Sequence, residues 1–405
     1  MNIVIVTDAY PPEVRSSSHL MVELAEGLSA LGHSVHVLTG WPRYNLEDSA
    51  RRRTFEASMM EDGVHVVRVR TLPHHNVGYV MRGLAQISMP FAFLGVLNKF
   101  IRQPVDAVVV YTPPLPLAFV GEALRRRGAR YLLNVQDLFP QNAIDLGVLR
   151  NPVLVAFYRW MEKRAYSKAD IVTAHSEANR VMMLATDPEL GQKLRVLHNW
   201  VDTAPYAACP ARAGDFRKEW GLEGQFLALF AGVMGPSQAL DVVLDTASAT
   251  RDLKDLTYLI VGDGMEKPRL VERARGEQLD NVVFKPFVSR EDYPLLVDTV
   301  DVGLVCLSSL NTTPVVPGKI LGYMAGAKPI AAFLNVQSDG HGIIRDAGCG
   351  YSCASNDPAA PAAIMRSLYN DRSACTTMGS AGEAYVSTHF AKDVIIRTMS
   401  EWLNP

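Results

Sequence analysis

The sequence predicts a doubly wound α/β fold that is repeated in two domains. Short apolar runs, typical of buried parallel strands, alternate with helical patterns, and the alternation restarts after the Ala-, Pro- and Gly-rich residues 203–215. The chain has 405 residues, with 40 Lys and Arg against 42 Asp and Glu, and 48% of its residues are hydrophobic. This composition excludes a disordered chain, and the length suits two domains.

The first half begins directly with a strand, followed by an amphipathic helix. Leucines recur at helical spacing from Leu20 to Leu31, which predicts a helix over residues 18–31, and Gly32 ends it. Helices are also expected between the later strands. The predicted strands of this half are 2–7, 35–38, 64–69, 106–110, 131–135, 171–173 and 195–197.

The second half repeats the same alternation. We predict helices over 237–250 and 266–278, and a last helix over about 381–403 that packs back on the first half. The predicted strands are 227–230, 256–261, 282–284, 302–306 and 330–333. The domain boundaries that follow are 1–202, 203–380 and 381–405.

Composition also limits the class of function. A formal net charge of -2 gives no basic footprint for nucleic acid. Five cysteines, an odd number in a long chain, predict reduced thiols and not a disulfide framework. The N-terminus has no basic region followed by an apolar core, so we expect no secretory signal and a cytoplasmic protein.

Residues 77–101 depart from the α/β pattern because they are strongly apolar yet contain Arg82, Gln86 and Pro90. They suit a buried helix and an interfacial membrane helix equally well. Basic residues of the same half could contact anionic headgroups, although each group alone is more often a solvated face. These residues are Arg51, Arg52, Arg53, Lys99, Arg102, Arg125, Arg126 and Arg127.

Three strand-to-helix turns of the second half suit a bound phosphate. Glycines allow close backbone approach, and a lysine in a first helical turn opposes the helix dipole unless an anion is bound. For Lys267 a solvated side chain is an equally good interpretation. In the first half, residues 7–13 replace the glycine turn of a dinucleotide site, which disfavours NAD. The three turns are 231–238 with Gly235, 261–267 with Gly264 and Lys267, and 316–320 with Pro317, Gly318 and Lys319.

A set of short segments extends over nearly the whole chain. Those of the second half are Gly262-Asp263-Gly264, DVGLV at 301–305, PGK at 317–319 and KPI at 328–330, and those at the start are YPPE at 10–13 and LGHSVHV at 31–37. The former resemble the donor domain of glycosyltransferase family 4, and the latter resemble that family's opening strand and helix. DLFP at 137–140 and HNWVD at 198–202 are similar to the subgroup that builds O-antigen, capsule and colanic acid, which includes N-acetylfucosamine transferases.

The resemblance implies a GT-B enzyme, in which two Rossmann-like domains face each other across a cleft. The C-terminal domain would bind the nucleotide-sugar, and the membrane-facing N-terminal domain would bind the acceptor. Transfer would retain the anomeric configuration without a required metal. Helix N-termini with Lys319 and Lys267 would stabilise the charge of the diphosphate leaving group.

The resemblance also assigns site residues, each with a structural alternative. Asp137 is at the position of a catalytic histidine or acid, or it caps a turn; Glu13 holds an acceptor hydroxyl, or caps a turn. His198 belongs to the interdomain cleft or to the packing of one domain. Phe287 stacks on the base or joins the core.

The sequence departs from the family at four places. The two glutamates of the E-x7-E pattern, of which the second contacts the ribose, are replaced by Pro314 and Gly322. The cation of the first donor-domain loop is Val233. Ser16 and Ser17, which we expect on the acceptor side, stand where a glycine pair is usual.

We therefore expect a retaining transferase on the cytoplasmic face of the membrane. It would move an N-acetylated sugar from UDP, in preference to GDP, to a lipid-linked saccharide. Two alternatives stay open: a sugar-nucleotide 2-epimerase, and a non-catalytic partner of another transferase, which the two missing glutamates would explain.

Overall fold

The structure of the chain is a computed structural model that describes residues 1–13, 15–44, 46, 54–75, 77–145, 147–209, 215–311 and 314–404. The chain divides into two compact units. The first comprises Met1–Asn199 together with Asp393–Pro405, and the second comprises Trp200–Lys392. Each unit contains its own doubly wound sheet, so the predicted fold class of two Rossmann-like domains is confirmed.

The first unit is built on an eight-stranded sheet. Its strands are β1 (Asn2–Val6), β2 (Ser34–Gly40), β3 (Ser58–Glu61), β4 (Val64–Val69), β5 (Ala107–Thr112), β6 (Arg130–Val135), β7 (Ile171–Ala174) and β8 (Leu194–Val196). The order is β3-β4-β2-β1-β5-β6-β7-β8, and every pair is parallel except β3 with β4. The strand order reverses at β1, where such sheets bind ligands beyond the carboxyl ends of their strands.

Helices cover this sheet and bury its apolar strands. They are α1 (Ser16–Ala30), α2 (Tyr79–Phe100), α3 (Ala118–Arg125), α4 (Gln141–Asp145), α5 (Pro152–Lys168) and α6 (Glu177–Thr186). All residues of β1 and β5 are buried, as expected for central parallel strands with helices on both faces. The seven strands expected in this half are present, and β3 is an addition.

The second unit is built on a six-stranded parallel sheet. Its strands are β9 (Phe226–Ala231), β10 (Leu256–Val261), β11 (Val282–Lys285), β12 (Val302–Cys306), β13 (Ile330–Leu334) and β14 (Gly350–Ala354). The order is β11-β10-β9-β12-β13-β14, so the reversal lies between β9 and β12. This reversal places the turns after β9, β10 and β12 near one point of the sheet edge.

The helices of the second unit connect these strands. They are α7 (Ala204–Ala207), α8 (Asp215–Trp220), α9 (Asp241–Ala249), α10 (Lys267–Gly276), α11 (Tyr293–Thr299), α12 (Lys319–Ala325), α13 (Gly340–Ala347), α14 (Ala360–Asn370) and α15 (Arg372–His389). The helix expected over 237–250 is instead a 3-10 turn, Pro236–Gln238, followed by α9. Ala239 lies between them with a left-handed φ of 45°, which interrupts helical hydrogen bonding.

The C-terminal segment contains two helices where we predicted one. After α15 ends at His389, α16 spans Lys392–Leu403. From Asp393 onward the chain belongs to the first unit. There α16 packs closely on α1, since a Cβ at Gly27 would lie 2.5 Å from Cδ1 of Ile396.

The apolar helix α2 buries one side and exposes the other. The buried residues, four apart in sequence, are Ala85, Met89, Phe93 and Leu97, and the exposed ones are Val80, Met81, Leu84 and Phe91. Among the described helices, α2 is the one whose length and composition would allow it to cross a membrane, and 28% of its apolar window is buried. A core helix passes the same test, so the length and composition of α2 fit both interpretations. The arginines at 51–53 lie outside the described residues.

Candidate active site

The turns after β9 and β10 pack directly on each other at the carboxyl edge of the second unit. The Gly232 N–H donates to the Val261 carbonyl at 2.9 Å, and the Met234 N–H donates to the Asp263 carbonyl at 2.8 Å. A Cβ at Gly262 would lie 2.0 Å from the Gly232 carbonyl oxygen. Glycine is therefore required here by the packing of two backbones.

Gly264 and Gly235 look alike in the sequence but differ in the structure. Gly264 has a φ of +154°, and a Cβ there would lie 2.4 Å from the Met234 carbonyl oxygen. Gly235 has an ordinary extended φ of -116°, and a Cβ there would contact nothing within 4 Å. Gly318 is open in the same way. The fold explains Gly264, whereas Gly235 and Gly318 leave room for a ligand to approach the backbone.

Lys319 begins α12 and reaches across to the turn after β9. Its Nζ donates to Oε1 of Gln238 at 2.9 Å and lies 4.8 Å from the centroid of the Phe230 ring. Burial lowers the pKa of Lys319. In the described part of the chain no carboxylate forms an ion pair with this amine. The ammonium is thus held at the point where the strand order reverses, with capacity to bind an anion.

Lys267 lies in the same region but has a local partner. It is the first residue of α10, and its Nζ donates to the Gly262 carbonyl at 2.9 Å. Both lysines therefore contact the pair of turns that Gly232 and Gly262 bring together. The bond to Gly262 gives Lys267 a structural role in holding this turn. Its side chain is therefore not freely solvated, and binding a ligand would not be its sole role.

Two further predicted donor residues differ in exposure. Pro317 is buried, and its carbonyl accepts from the Ile320 N–H at 3.1 Å, so it shapes the turn that presents Lys319. The Phe287 side chain is 67% exposed in the loop after β11. The interpretation of Phe287 as a core residue is therefore wrong, and its ring is available to a ligand.

The positions that lack the family glutamates are enclosed. Pro314 and Gly322 are both buried. A Cβ at Gly322 would lie 3.1 Å from Oη of Tyr206 and 3.2 Å from Cε1 of Tyr293. The two tyrosines thus occupy space beside Gly322 that a carboxylate side chain would need. No local sequence pattern indicates this, because the three residues lie on different helices.

The carboxyl edge of the first unit carries a cluster of charged side chains. Arg15 Nη1 donates to Oδ2 of buried Asp8 at 2.9 Å and lies 3.9 Å from Oε2 of Glu13. Glu13 Oε1 accepts from the backbone N–H groups of Arg43 and Tyr44 at 2.8 and 3.1 Å. Burial raises the pKa of Glu13. The carboxylate therefore anchors the turn after β2, the capping role that we considered for it.

Asp137 follows β6 and is exposed at this edge. Partial desolvation raises the pKa of its carboxyl group. Burial, and then the charges of Asp137 and Asp8, raise the pKa of Tyr111, which places all three groups at one edge. An exposed carboxyl group with a raised pKa suits proton transfer better than a helix cap.

The remaining predicted residues occupy the ends of other elements. Ser17 is buried near the N-terminus of α1, and Ser16 begins that helix, although its side chain lies outside the described part. His198 follows β8, and its Nδ1 donates to the His175 carbonyl at 3.1 Å. His198 is therefore oriented by the backbone after β7.

The structure also reveals site residues that the sequence analysis missed. His74 and His75 follow β4 and lie beside Asp8: one carboxylate oxygen and one nitrogen from each ring lie within 4.8 Å of one another. The His75 ring stacks on Tyr44, with centroids 4.4 Å apart. Two adjacent histidines in the loop that follows a strand were the available signal.

The solved structures that resemble the chain share its fold. Sucrose-phosphate synthase from Thermosynechococcus elongatus matches with a TM-score of 0.77 and 15% identity over 99% of this chain and 98% of that one. HepE of Anabaena in complex with UDP matches with a TM-score of 0.72 and 16% identity over 100% and 99%. These likenesses and the strand order of the two sheets show the GT-B fold.

Comparison with family models then gives the class of each half. Residues 19–200 match the glycosyl transferase 4-like domain and residues 225–371 match the glycosyl transferases group 1 domain, so both halves of the chain carry glycosyltransferase domains. The chain is therefore an enzyme of the glycosyltransferase class.

Curated relatives agree with this assignment. WbjE of Pseudomonas aeruginosa, named as a glycosyltransferase, is 27% identical over 70% of this chain and 71% of its own length. WcaI of Escherichia coli K12, named as a colanic acid biosynthesis glycosyltransferase, is 25% identical over 80% and 81%. A GDP-mannose-dependent alpha-mannosyltransferase of Mycobacterium tuberculosis is 26% identical over 67% and 65%. All three relatives are named as sugar transferases, and the name of WcaI refers to the synthesis of a polysaccharide.

Proposed function

We propose that the chain transfers a sugar from a nucleoside-diphosphate donor, with retention, to a lipid-linked saccharide in cell-surface polysaccharide synthesis. The observation that carries this proposal is Lys319, a half-buried ammonium held by Gln238 at the strand-order reversal of the second unit without a carboxylate partner in the described residues. Such a cation stabilises the negative charge that develops on a departing diphosphate.

The other residues proposed for the donor site lie at the same edge of the sheet. The open backbone at Gly235 and Gly318 can approach the diphosphate, while Gly264 and Lys267 hold the turn after β10 in place. The exposed Phe287 ring can stack on the base. In this arrangement the protein's own cation, and not a metal, neutralises the diphosphate.

The acceptor is proposed to bind at the carboxyl edge of the first unit. Asp137 is exposed at this edge, and desolvation raises the pKa of its carboxyl group, which favours it as the proton-transferring group. Glu13 acts through the turn that it anchors. Ser17 and His198 lie at the same edge, and Ser16 precedes Ser17 at the start of α1. We propose these residues as acceptor contacts, with Asp137 the one that exchanges a proton with a reacting hydroxyl.

The donor is proposed to be UDP-activated and N-acetylated. HepE has been solved with UDP, while the mycobacterial relative is named as GDP-mannose-dependent, so both nucleotides have precedent among similar proteins. The test is thermal unfolding with UDP, GDP, ADP and NAD side by side at millimolar concentration. A ligand at 100 times its Kd adds about 2.7 kcal/mol to the free energy of unfolding. A selective shift by UDP is expected.

A GDP-selective shift would correct the nucleotide but keep the class of donor. A shift with none of the four would favour the second candidate function, a non-catalytic partner of another transferase. The specific observation behind that candidate is the absence of carboxylates at Pro314 and Gly322, with Tyr206 and Tyr293 against the latter.

We further propose that the first unit docks on the cytoplasmic face of the membrane through α2 and α5. Exposed apolar side chains lie on both helices, and the helices are neighbours, because a Cβ at Gly83 would lie 3.5 Å from the Tyr158 hydroxyl. Arg125 pairs with Asp170 and Arg126 with Glu122, so apolar contact would contribute more than these arginines. The exposed residues are Val80, Met81, Leu84, Phe91, Val153, Leu154 and Trp160.

A further inference from the structure

Three polar atoms without hydrogen-bond partners belong to side chains that cluster at the carboxyl edge of the first unit, where His74 Nε2 also lies 4.0 Å from Oδ2 of Asp8. They are Oδ1 of Asp8, Nε2 of His74 and Nε2 of His75, and each is buried. The Asp8 residue is only 6% exposed. Because a buried polar atom that lacks a partner is costly, three at one point indicate a ligand that they bind together.

The hydrogen bonds around these residues orient them toward a common centre. His74 Nδ1 lies 3.3 Å from the Leu72 carbonyl oxygen, which can only accept a hydrogen bond. Nδ1 therefore carries the proton, and the lone pair of the neutral ring is on Nε2. Arg15 binds Oδ2 of Asp8 and leaves Oδ1 open. Outer bonds of this kind fix the tautomer and orientation of metal-binding side chains.

We propose that Asp8, His74 and His75 bind a divalent first-row transition metal, with Zn²⁺ the best match. Imidazole nitrogen and carboxylate oxygen are ligands that Zn²⁺ takes, and three protein ligands leave a fourth coordination position open. The ligand atoms already lie within 4.8 Å of one another, so small side-chain movements would complete the site.

Packing holds the ligands in place, and carboxylates and guanidinium groups are balanced around them. Asp8 and Glu13 supply two carboxylates, whereas Arg15 binds Asp8 and the Arg82 Nε donates to the His74 carbonyl at 3.2 Å. The stacking of Tyr44 on His75 holds one ligand in place before binding. The three ligands come from the ends of β1 and β4, which flank β2 in the sheet.

The open coordination position gives the metal a role on the acceptor side. A pocket beside it is lined by Glu13, Arg43, Tyr44 and His75. An acceptor hydroxyl entering this pocket could bind the metal through oxygen and be oriented for transfer. The role of the metal in orienting the acceptor rests on the proposed function, whereas the binding of the metal does not. The metal site is also separate from the donor diphosphate site at Lys319.

The test uses the full chain without an affinity tag, stripped with a chelator and then titrated with Zn²⁺ or Co²⁺ alone. We expect each chain to bind one metal ion, and we expect bound Co²⁺ to show the visible absorption spectrum of an ion with four or five ligands. Asp8→Asn and His75→Ala should each weaken binding more than about 100-fold, beyond the loss that follows removal of an outer partner. His389→Ala, which changes an exposed histidine of the second unit, should bind as the unmodified chain does.

Two results would overturn the proposal. One is the absence of stoichiometric uptake by the unmodified chain; the other is unchanged affinity in both ligand variants, which would place the metal elsewhere. If a variant does not fold, the Co²⁺ spectrum of the unmodified chain decides, because a six-coordinate, water-like spectrum contradicts the proposed site. None of these measurements uses transferase activity, so their failure is distinct from failure of the proposed function.

Discussion

The side chains of Lys319 and Gln238 are joined by a hydrogen bond of 2.9 Å between Nζ and Oε1. This bond connects the first residue of α12 to the 3-10 turn after β9, across the strand-order reversal of the second unit. Gln238 offers a neutral oxygen and not a carboxylate, so it positions the ammonium without neutralising it. A diphosphate that binds here meets an oriented positive charge.

The first prediction concerns this charge. Lys319→Ala should weaken binding of the nucleoside diphosphate about 10- to 100-fold, because a hydrogen bond to a charged group contributes about 1.5–3 kcal/mol. Isothermal titration calorimetry with UDP, or with GDP if that nucleotide is selected, measures the change. Lys254→Ala, in an exposed lysine before β10, is the control and should leave the affinity unchanged. An equal affinity in the two variants would remove Lys319 from the donor site.

The second prediction separates two glycines of the donor turns. Gly264→Ala should lower the free energy of unfolding by about 2 kcal/mol or more, because its φ of +154° and the Met234 carbonyl 2.4 Å from the new Cβ both oppose a side chain. Gly235→Ala should leave thermal stability nearly unchanged and weaken nucleotide binding. Calorimetric melting of both variants tests this. Comparable destabilisation by the two substitutions would contradict our separation of a packing role from a ligand role.

The third prediction concerns pH and a histidine pair away from the site. His36 Nδ1 lies 2.8 Å from His65 Nδ1, and burial, followed by the His65 charge, lowers the pKa of His36 to about 4. The unfolded chain has the ordinary pKa of about 6.5, so it binds more protons than the folded chain between pH 6.5 and pH 4. Stability should therefore decline as the pH falls through this window, by about 1–3 kcal/mol for this residue.

Denaturant unfolding at pH 7 and pH 4.5 measures the effect of His36. His36→Gln should reduce the difference between the two pH values, whereas the exposed His389→Gln should not. If the pH dependence is the same in both variants, the charge state of His36 does not control acid stability.

The fourth prediction concerns the exposed face of α2. Phe91 is 75% exposed, and Phe91→Glu should reduce binding to vesicles of phosphatidylethanolamine and phosphatidylglycerol about tenfold or more, because burial of an aromatic side chain contributes about 1.5–3 kcal/mol. Vesicle co-sedimentation at two salt concentrations measures it. Met265→Glu is the control, since Met265 is 78% exposed but belongs to the second unit. Absence of vesicle binding by the unmodified chain would rule out the docking proposal.

Apolar periodicity was enough to predict most of the fold. Buried parallel strands such as β1 and β5 are continuous apolar runs, so their position follows from local composition. The strands β3 and β14 escaped prediction because Ser58–Glu61 and Gly350–Ala354 are short, partly exposed and rich in polar or small residues. The break at Ala239 could not be expected either, since alanine is normally a strong helix former.

The chemistry of the site depended more on tertiary structure. Turn composition was sufficient to place lysines and glycines at strand ends, because helices that follow parallel strands begin at one edge of the sheet. The contact between the turns after β9 and β10 decides the roles of two glycines. Gly264 is required for packing, whereas Gly235 leaves space for a ligand. Likewise, Asp8 and His74 are distant in sequence and meet because β1 and β4 end at the same edge. Local sequence carries backbone preference and hydrophobic pattern, while the partners of a side chain are set by the sheet order that joins distant segments.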